Sequence, residues 1–191
     1  TLFRSIAEYE SGSEAANAVQ PPPDSAVNGF DAIGATQLAL SPAAIERYES
    51  SAVLAAQAAL SSAETRKALI GCTPTSTGDE TCLRDFLRRF GRLAWRRPLS
   101  EAELNTWVTL GKSAATAYGD FYKGAEFAIA GLLQSPFFLY QVEVGEPDPE
   151  QPGRRRLTGH ELATRLSFFL AGTSPSPELL PAGERGGLST R

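Results

Sequence analysis

Apolar residues recur at steps of three and four positions along most of this chain, which is the spacing of one buried face of an α-helix. The clearest such stripe consists of Leu83, Phe86, Leu87, Phe90 and Ala94. No segment shows convincing alternation of apolar and polar residues over five positions, so no strand is predicted. The pattern predicts helices over residues 42–60, 63–70, 80–95, 101–118, 121–133, 137–143 and 159–170, and a last short helix from Ser176.

Capping residues stand where several of these helices are predicted to begin. Ser41 followed by Pro42 is typical of an N-cap and the first helical position. Two further starts, Ser100–Glu103 and Thr158–Glu161, have the Ser/Thr-x-x-Glu spacing of a capping box. The helix predicted after Asp120 is apolar on nearly all its faces and rich in small residues, which allow other helices to pack closely against it. Such a helix belongs at the centre of a bundle.

The two cysteines, Cys72 and Cys82, bracket a polar loop rich in turn-forming residues. Their spacing differs from the C-x-x-C of metal knuckles and redox motifs. A disulfide closing so short a loop would contribute about 2–3 kcal/mol, mainly by restricting the unfolded chain. We favour the disulfide, and with it an oxidising compartment. Two buried free thiols in a cytosolic protein are the alternative.

Together these features predict an all-α fold, a helical bundle with long loops and one disulfide. The clearest linker is residues 144–156, which contain three prolines, an acidic half and then three consecutive arginines. We therefore divide the chain into an N-terminal loop-plus-helix module (1–71), a disulfide-stapled helical module (72–143) and the start of a further helical module (157–191). We expect this last module to be truncated.

Composition excludes several classes of function. Eighteen Lys+Arg against 22 Asp+Glu give a net charge of −4, which argues against a nucleic-acid partner. One histidine, His160, cannot supply a site with two His ligands, and two cysteines cannot form the usual structural zinc sets. No C-x-x-C-H motif is present to attach a c-type haem. The most apolar stretch, residues 125–142, is broken by polar residues and a proline, so no transmembrane span is predicted.

We expect that neither end of the sequence is a natural terminus. The chain has no methionine and begins with Thr1, so we expect a mature or processed piece whose signal peptide has been removed. It closes on Arg191 after a Gly-rich stretch, which is typical of an exposed trypsin-type cut. We therefore expect a proteolytic fragment of a longer parent protein.

Candidate polar binding residues lie on two helical segments. Arg96 and Arg97 precede Pro98 and can bind a carboxylate, sulfate or phosphate. Alternatively, they cap the last carbonyls of the preceding helix or form a salt bridge between modules. Glu161 and Arg165 share a helical face at i, i+4, where they form either an intrahelical ion pair or part of a pocket.

Three other features have both a chemical and a structural interpretation. Asp24 and Asp31, on a Pro- and Gly-rich loop, can coordinate calcium or act as turn formers. His160 can serve as a base, a metal ligand or a haem axial ligand, but at the second position of a capped helix we expect it to be solvent-exposed. An aromatic cluster is expected in the core rather than as a stacking platform: Phe137, Phe138, Tyr140, Phe168 and Phe169.

Three blocks of sequence, in this order and spanning nearly the whole chain, resemble a known but uncharacterised family. They are residues 22–48 with Pro-Pro-Asp and Gly-Phe-Asp, residues 72–103 with Trp-Arg-Arg-Pro-Leu, and residues 132–170 with Gln-Ser-Pro-Phe-Phe-Leu-Tyr. The family comprises secreted multi-module proteins catalogued as consecutive domains of unknown function (numbers 1587, 1595 and 1592), often found with c-type cytochrome modules. The resemblance implies an envelope or secreted location, a helical fold and further modules beyond Arg191. It assigns no chemistry to this segment.

The leading hypothesis is a disulfide-stapled helical scaffold or binding segment of a larger secreted, periplasmic or outer-membrane-associated protein. One alternative is part of a haem-containing redox enzyme or electron-transfer assembly whose cofactor is bound by another segment. Another is part of an extracellular polymer-degrading hydrolase. We expect no cofactor on this chain alone, with haem c a candidate for the parent protein only. The expected partners are the remaining modules of that parent, on the same chain or as a separate chain after cleavage.

Overall fold

The structure is a computed structural model that describes residues 41–176 and 178–188. These residues form eight helices and one pair of two-residue strands, which confirms the predicted all-α class. The elements are α1 (Pro42–Ala59), α2 (Ala63–Ile70), α3 (Glu80–Trp95), α4 (Glu101–Tyr118), α5 (Phe121–Gln134), α6 (Pro136–Leu139), β1 (Glu146–Pro147), β2 (Arg155–Arg156), α7 (Gly159–Ala171) and α8 (Leu179–Glu184).

The predicted caps form at the helix starts. The Ser41 hydroxyl accepts a hydrogen bond from the Ala44 amide at 3.1 Å, with Pro42 in the first turn of α1. Both predicted capping boxes are present, Ser100–Glu103 at α4 and Thr158–Glu161 at α7. Each cap satisfies amide groups that have no partner within their own helix. Sequence neighbours alone therefore determine where these three helices begin.

Helix α5 lies at the centre of the bundle, as its apolar sequence predicts, and packs against α1, α3, α4 and α6. The stripe predicted on α3 is buried along its whole length. Full burial of one Leu or Phe side chain stabilises a fold by about 1.5–3 kcal/mol, so this core is the main source of hydrophobic stabilisation. The largest fully buried apolar side chains are Phe86, Phe138, Ile70, Leu83, Leu87, Leu104, Ile129, Leu132, Leu133 and Leu180.

Cys72 and Cys82 form the predicted disulfide, with their Cα atoms 5.9 Å apart. The bond joins the segment after α2 to the first turn of α3, whose N-cap residue is Asp79. The Asp79 carboxylate accepts hydrogen bonds from the amides of Thr75 and Cys82 at 2.9 and 3.0 Å, and these lower its pKa below the ordinary value. The loop between the cysteines is therefore held both covalently and by the cap of α3.

The helix after α5 is shorter than the sequence predicts. A helix was expected over residues 137–143, but α6 ends at Leu139. The guanidinium of Arg96 hydrogen-bonds carbonyls that a longer helix would need, those of Phe137, Phe138 and Tyr140. Because these oxygens accept from a side chain of α3's C-cap, the chain leaves the helical path after one turn.

The linker contains a small antiparallel hairpin that the sequence pattern does not predict. Glu146 pairs with Arg156 and Pro147 with Arg155, and the Arg156 side chain donates to the Glu146 carboxylate at 2.8 Å. Strands of two residues are too short to show alternation of apolar and polar positions. Among the described helices, none combines the length and the apolar character needed to cross a lipid bilayer.

Candidate functional site

A cavity of about 280 Å³ lies between the C-terminal end of α3, the segment around α6 and the first turns of α7. We call it the junction cavity, because it lies where the chain segments before and after the linker meet. Of the predicted polar residues, Arg96, Arg97 and Glu161 line it, whereas Arg165 lies outside its wall. The fold thus brings three of the four together, from positions far apart in the sequence.

Arg96 is the C-cap residue of α3, in the left-handed conformation with φ 58°, and only 3% of its surface is exposed. Burial lowers its pKa to about 10, so the guanidinium is still a cation at neutral pH. Its two terminal nitrogens donate hydrogen bonds of 2.7 to 3.3 Å to the carbonyls of Ala94, Phe137, Phe138 and Tyr140. Of the two predicted roles for Arg96, the structure therefore shows hydrogen bonding to a carbonyl at the end of the preceding helix, and the same guanidinium joins α3 to α6.

Arg97 fixes the turn between α3 and α4. It donates to both carboxylate oxygens of Glu103, at 3.0 and 2.8 Å, and its guanidinium lies 4.3 Å from the ring centroid of Phe137 and 5.1 Å from that of Trp95. The hydrogen bonds from Arg97, together with those from Ser100, lower the pKa of Glu103 to about 2. Arg97, Trp95 and Phe137 together therefore form one wall of the junction cavity, and Glu103 balances the charge of Arg97.

Glu161 holds the linker onto α7. One carboxylate oxygen accepts from the amides of Val144 and Gly145 at 2.6 and 2.8 Å, and the other accepts from the amide and hydroxyl of Thr158 at 2.7 and 2.8 Å. Burial alone would raise the pKa of Glu161, but these hydrogen bonds outweigh it and lower the pKa below its ordinary value. The carboxylate is therefore ionised and fully occupied by the chain itself.

Arg165 pairs with a different carboxylate from the one expected. Its Nε donates to Glu143 at 2.9 Å, and its terminal nitrogen contacts the second oxygen of the same carboxylate. This pairing raises the pKa of Arg165. The intrahelical pair with Glu161 is replaced because the capping box turns the Glu161 carboxylate back toward the N-terminus of α7. Arg165 thus contacts the last residue before the linker, and Glu161 contacts the first two residues of the linker.

The expectation that His160 is solvent-exposed is wrong. Its side chain is only 24% exposed, and Nε2 lies 3.7 Å from the Glu184 carboxylate on α8. Its Nδ1 is buried and has no hydrogen-bond partner among the described residues. Burial lowers the pKa of His160, and Glu184 only partly opposes this. Helix α8 covers His160 because the chain packs Gly183 directly against Gly159, an approach that no local sequence pattern signals.

We expect protonation of His160 to destabilise the fold. Because the folded state lowers its pKa, the unfolded chain binds the proton more tightly, and the free energy of unfolding falls as the pH drops through the ordinary value of 6.5. His160 is the one histidine of the chain, so His160→Gln should flatten this decline. Urea unfolding of both proteins from about pH 7.5 to about pH 5 measures it. If the free energy of unfolding fell equally steeply with pH in both proteins, the pKa of His160 would be the same in the folded and the unfolded chain, and this prediction would be wrong.

The predicted cation site, Asp24 with Asp31, lies outside the described residues and stays a prediction. Within residues 41–176 and 178–188, no group of three or more His, Cys, Asp or Glu side chains is placed to hold a metal ion. The charged side chains around the junction cavity are instead paired with each other or with backbone groups, as described above.

The aromatic cluster predicted for the core divides between different environments. Phe138 is buried, which confirms its prediction, whereas Phe169 is 83% exposed on α7, so its prediction is wrong. Phe137 lies against Trp95 in the cavity wall, with ring centroids 4.9 Å apart. The core prediction failed for Phe169 because apolar character alone does not say which face of a helix meets a neighbour.

Thr164 and Trp95 line the cavity although they were not predicted as site residues. Thr164 follows His160 and Glu161 at steps of four and three, which places these side chains on one face of α7. Trp95 ends the buried stripe of α3, where its indole Nε1 donates to the Leu132 carbonyl at 3.1 Å. Thr164 could have been predicted as a site residue from the sequence, because it lies three positions after Glu161 and therefore on the same helical face.

Comparison with known proteins finds two family matches in adjacent segments. Residues 82–143 match the family described as "Protein of unknown function (DUF1595)", and residues 157–191 match "Protein of unknown function (DUF1592)". No curated protein and no solved structure matches the chain. The two matched segments flank the linker, and both contribute to the wall of the junction cavity. Their succession on one chain supports a multi-domain family of unknown function.

Proposed function

We propose that the chain is a structural scaffold of a larger secreted or cell-envelope protein and that it holds neighbouring modules in a fixed arrangement. The observation that supports this most directly is how its charged groups are used. Arg96 donates to four backbone carbonyls, and Glu161 accepts from three backbone amides. A general acid or base must instead be free to exchange a proton with a substrate. These groups stabilise the chain rather than face a reactant.

Other charged side chains connect the two family-matched segments. Two ion pairs cross from the chain before the linker to the chain after it, Arg165 with Glu143 and Arg92 with Glu184. In addition, Glu161 holds the first two linker residues, 144–145, onto α7. The pair of Arg92 and Glu184 joins α3 to α8 by two hydrogen bonds of 3.2 and 2.7 Å. Contacts at both ends of the second segment restrict its rotation about the linker.

The disulfide between Cys72 and Cys82 supports an oxidising compartment, the secreted, periplasmic or outer-membrane-associated space, as the location of the parent protein. In this proposal the chain itself holds no cofactor, and its partners are the remaining modules of the parent. Fractionation of the producing cells checks the location. Recovery of the protein from the cytosol with both thiols reduced would contradict it.

Glu161→Gln tests the scaffold role. Glutamine has one carbonyl oxygen and presents an NH₂ group to amides that need an acceptor, so we expect residues 144–156 to detach from α7. Cleavage by trypsin at the three arginines of this segment should accelerate about tenfold, since proteolysis follows the population of the opened form. Glu49→Gln, on the exposed surface of α1, is the matched control and should leave the cleavage rate unchanged.

Small-angle X-ray scattering of the parent protein with the same two variants then measures the arrangement of its modules. We expect Glu161→Gln to have a larger radius of gyration than the wild type, and Glu49→Gln to have the same radius of gyration as the wild type. If Glu161→Gln left both the cleavage rate and the scattering curve as in the wild type, the linker would not be held by this carboxylate, and the scaffold proposal would fail.

A further inference from the structure

The wall of the junction cavity contains hydrogen-bond donors that the scaffold role does not use. Thr164 on α7 is 8% exposed and lines the cavity, yet its hydroxyl donates to no described residue. Thr106 and Thr116 of α4 instead donate to the carbonyls four residues earlier, at 3.1 and 2.9 Å, which is a common solution for threonine in a helix. Thr164 is therefore a buried hydroxyl whose hydrogen bond is not made within the described chain.

Arg96 has a second such donor. A guanidinium has five N–H groups, and the terminal nitrogens of Arg96 use four of them on carbonyls. The Nε–H has no partner among the described residues, and no described carboxylate forms an ion pair with Arg96. In the described chain, the unpartnered side-chain atoms that are also cut off from solvent are His160 Nδ1 and Ser174 Oγ. Arg96 Nε and Thr164 Oγ1 are not among them, and both residues line the cavity.

The carboxylates of the wall, in contrast, are already occupied. Glu161 accepts four hydrogen bonds, and the Glu143 carboxylate is taken by Arg165. The carbonyls of residues 144–145 accept from Arg155 at 2.8 and 2.7 Å. A ligand that enters the cavity therefore meets unpartnered donors, one of them on a cation, and carboxylates that are already paired. This combination favours an anion.

The rest of the wall favours an apolar body next to that anion. Trp95, Phe137 and Val142 line the cavity, and its volume of about 280 Å³ is larger than the roughly 150 Å³ of an engineered cavity in another protein that takes up benzene. We propose that the junction cavity binds a small monocarboxylate with an aromatic or branched apolar body. The carboxylate accepts from Arg96 Nε and the Thr164 hydroxyl, and the body packs against Trp95 and Phe137. This proposal goes beyond the scaffold role and does not depend on it.

Isothermal titration calorimetry of the full chain with benzoate tests the proposal. Benzamide and benzyl alcohol keep the ring and lose the charge, whereas sulfate keeps the charge and loses the ring. We expect benzoate to bind at least about tenfold more tightly than each of these three ligands, because a hydrogen bond to a charged group is stronger than one to a neutral group. Equal binding of benzyl alcohol or sulfate, or no binding of benzoate at millimolar concentration, would overturn the proposal.

Thr164→Val locates the site, because valine keeps the branched shape and loses the hydroxyl. We expect benzoate affinity to fall about tenfold, with an unchanged melting temperature that shows the fold is intact. Thr116→Val, on the exposed face of α4, is the matched control and should bind as the wild type does. Wild-type affinity in Thr164→Val would place the benzoate elsewhere and refute the proposal, whereas trypsin cleavage of Glu161→Gln tests the scaffold role separately.

Discussion

Replacement of Arg96 by methionine is expected to lower the free energy of unfolding by about 3 kcal/mol or more. Methionine occupies a similar space but donates no hydrogen bond. Four carbonyl groups at the junction of α3 and α6 then lose the donor they share. They are the carbonyls of Ala94, Phe137, Phe138 and Tyr140. One buried polar group left unsatisfied costs about 1–3 kcal/mol, and several are affected here. Urea unfolding followed by circular dichroism measures the loss.

Arg88→Met is the matched control for this result, because it makes the same substitution on the same helix. Arg88 forms exposed ion pairs with Asp85 and Glu101, both at 3.3 Å, and exposed pairs contribute about 0–1 kcal/mol. Arg96→Lys separates charge from geometry, since lysine keeps the cation but has three donors on one nitrogen and should lose an intermediate amount of stability. If Arg96→Met were as stable as Arg88→Met, the guanidinium would not be what joins α3 to α6.

Much of the helical fold follows from residues that are close neighbours in the sequence. The capping boxes at Ser100–Glu103 and Thr158–Glu161 form as predicted, because a cap needs only a side chain and amides within one turn. The buried stripe of α3 was equally predictable, since it depends on helical periodicity alone. The disulfide could also be predicted, because Cys72 and Cys82 are the only cysteines of the chain.

The candidate site was less predictable because its contacts are distant in the sequence. The carbonyls that accept from Arg96 on the α6 side lie 41 to 44 residues further along the chain, so two arginines before a proline were compatible with a cap, a salt bridge or an anion site. Position in a capped helix predicted an exposed His160, but α8 packs against it through Glu184. Local pattern identified the polar residues and could not say which groups they would contact.

Helices α4 and α5 meet backbone to backbone where Gly111 faces Gly124, and this crossing is the basis of the second large effect. A Cβ atom on Gly124 would overlap the Gly111 carbonyl oxygen and lie 2.7 Å from the Cβ of Ala115. In an exposed helix, alanine in place of glycine stabilises by about 1 kcal/mol. Here the overlap is with backbone that cannot rotate away, so we expect Gly124→Ala to lower the free energy of unfolding by about 1–3 kcal/mol and Gly124→Val to lower it further.

Gly78→Ala is the matched control, because a Cβ at this position in the loop between the cysteines meets no atom within 4 Å. We expect its stability to change by no more than about 0.5 kcal/mol. Both variants restrict the unfolded chain in the same way, so the difference between their urea midpoints measures the crossing in the folded state. The small residues of α5 indicated close neighbours in the sequence, but only the fold identifies Gly111 as the partner. Equal stability of Gly124→Ala and Gly78→Ala would mean that α4 and α5 can separate freely, and the crossing would not be a fixed contact of the core.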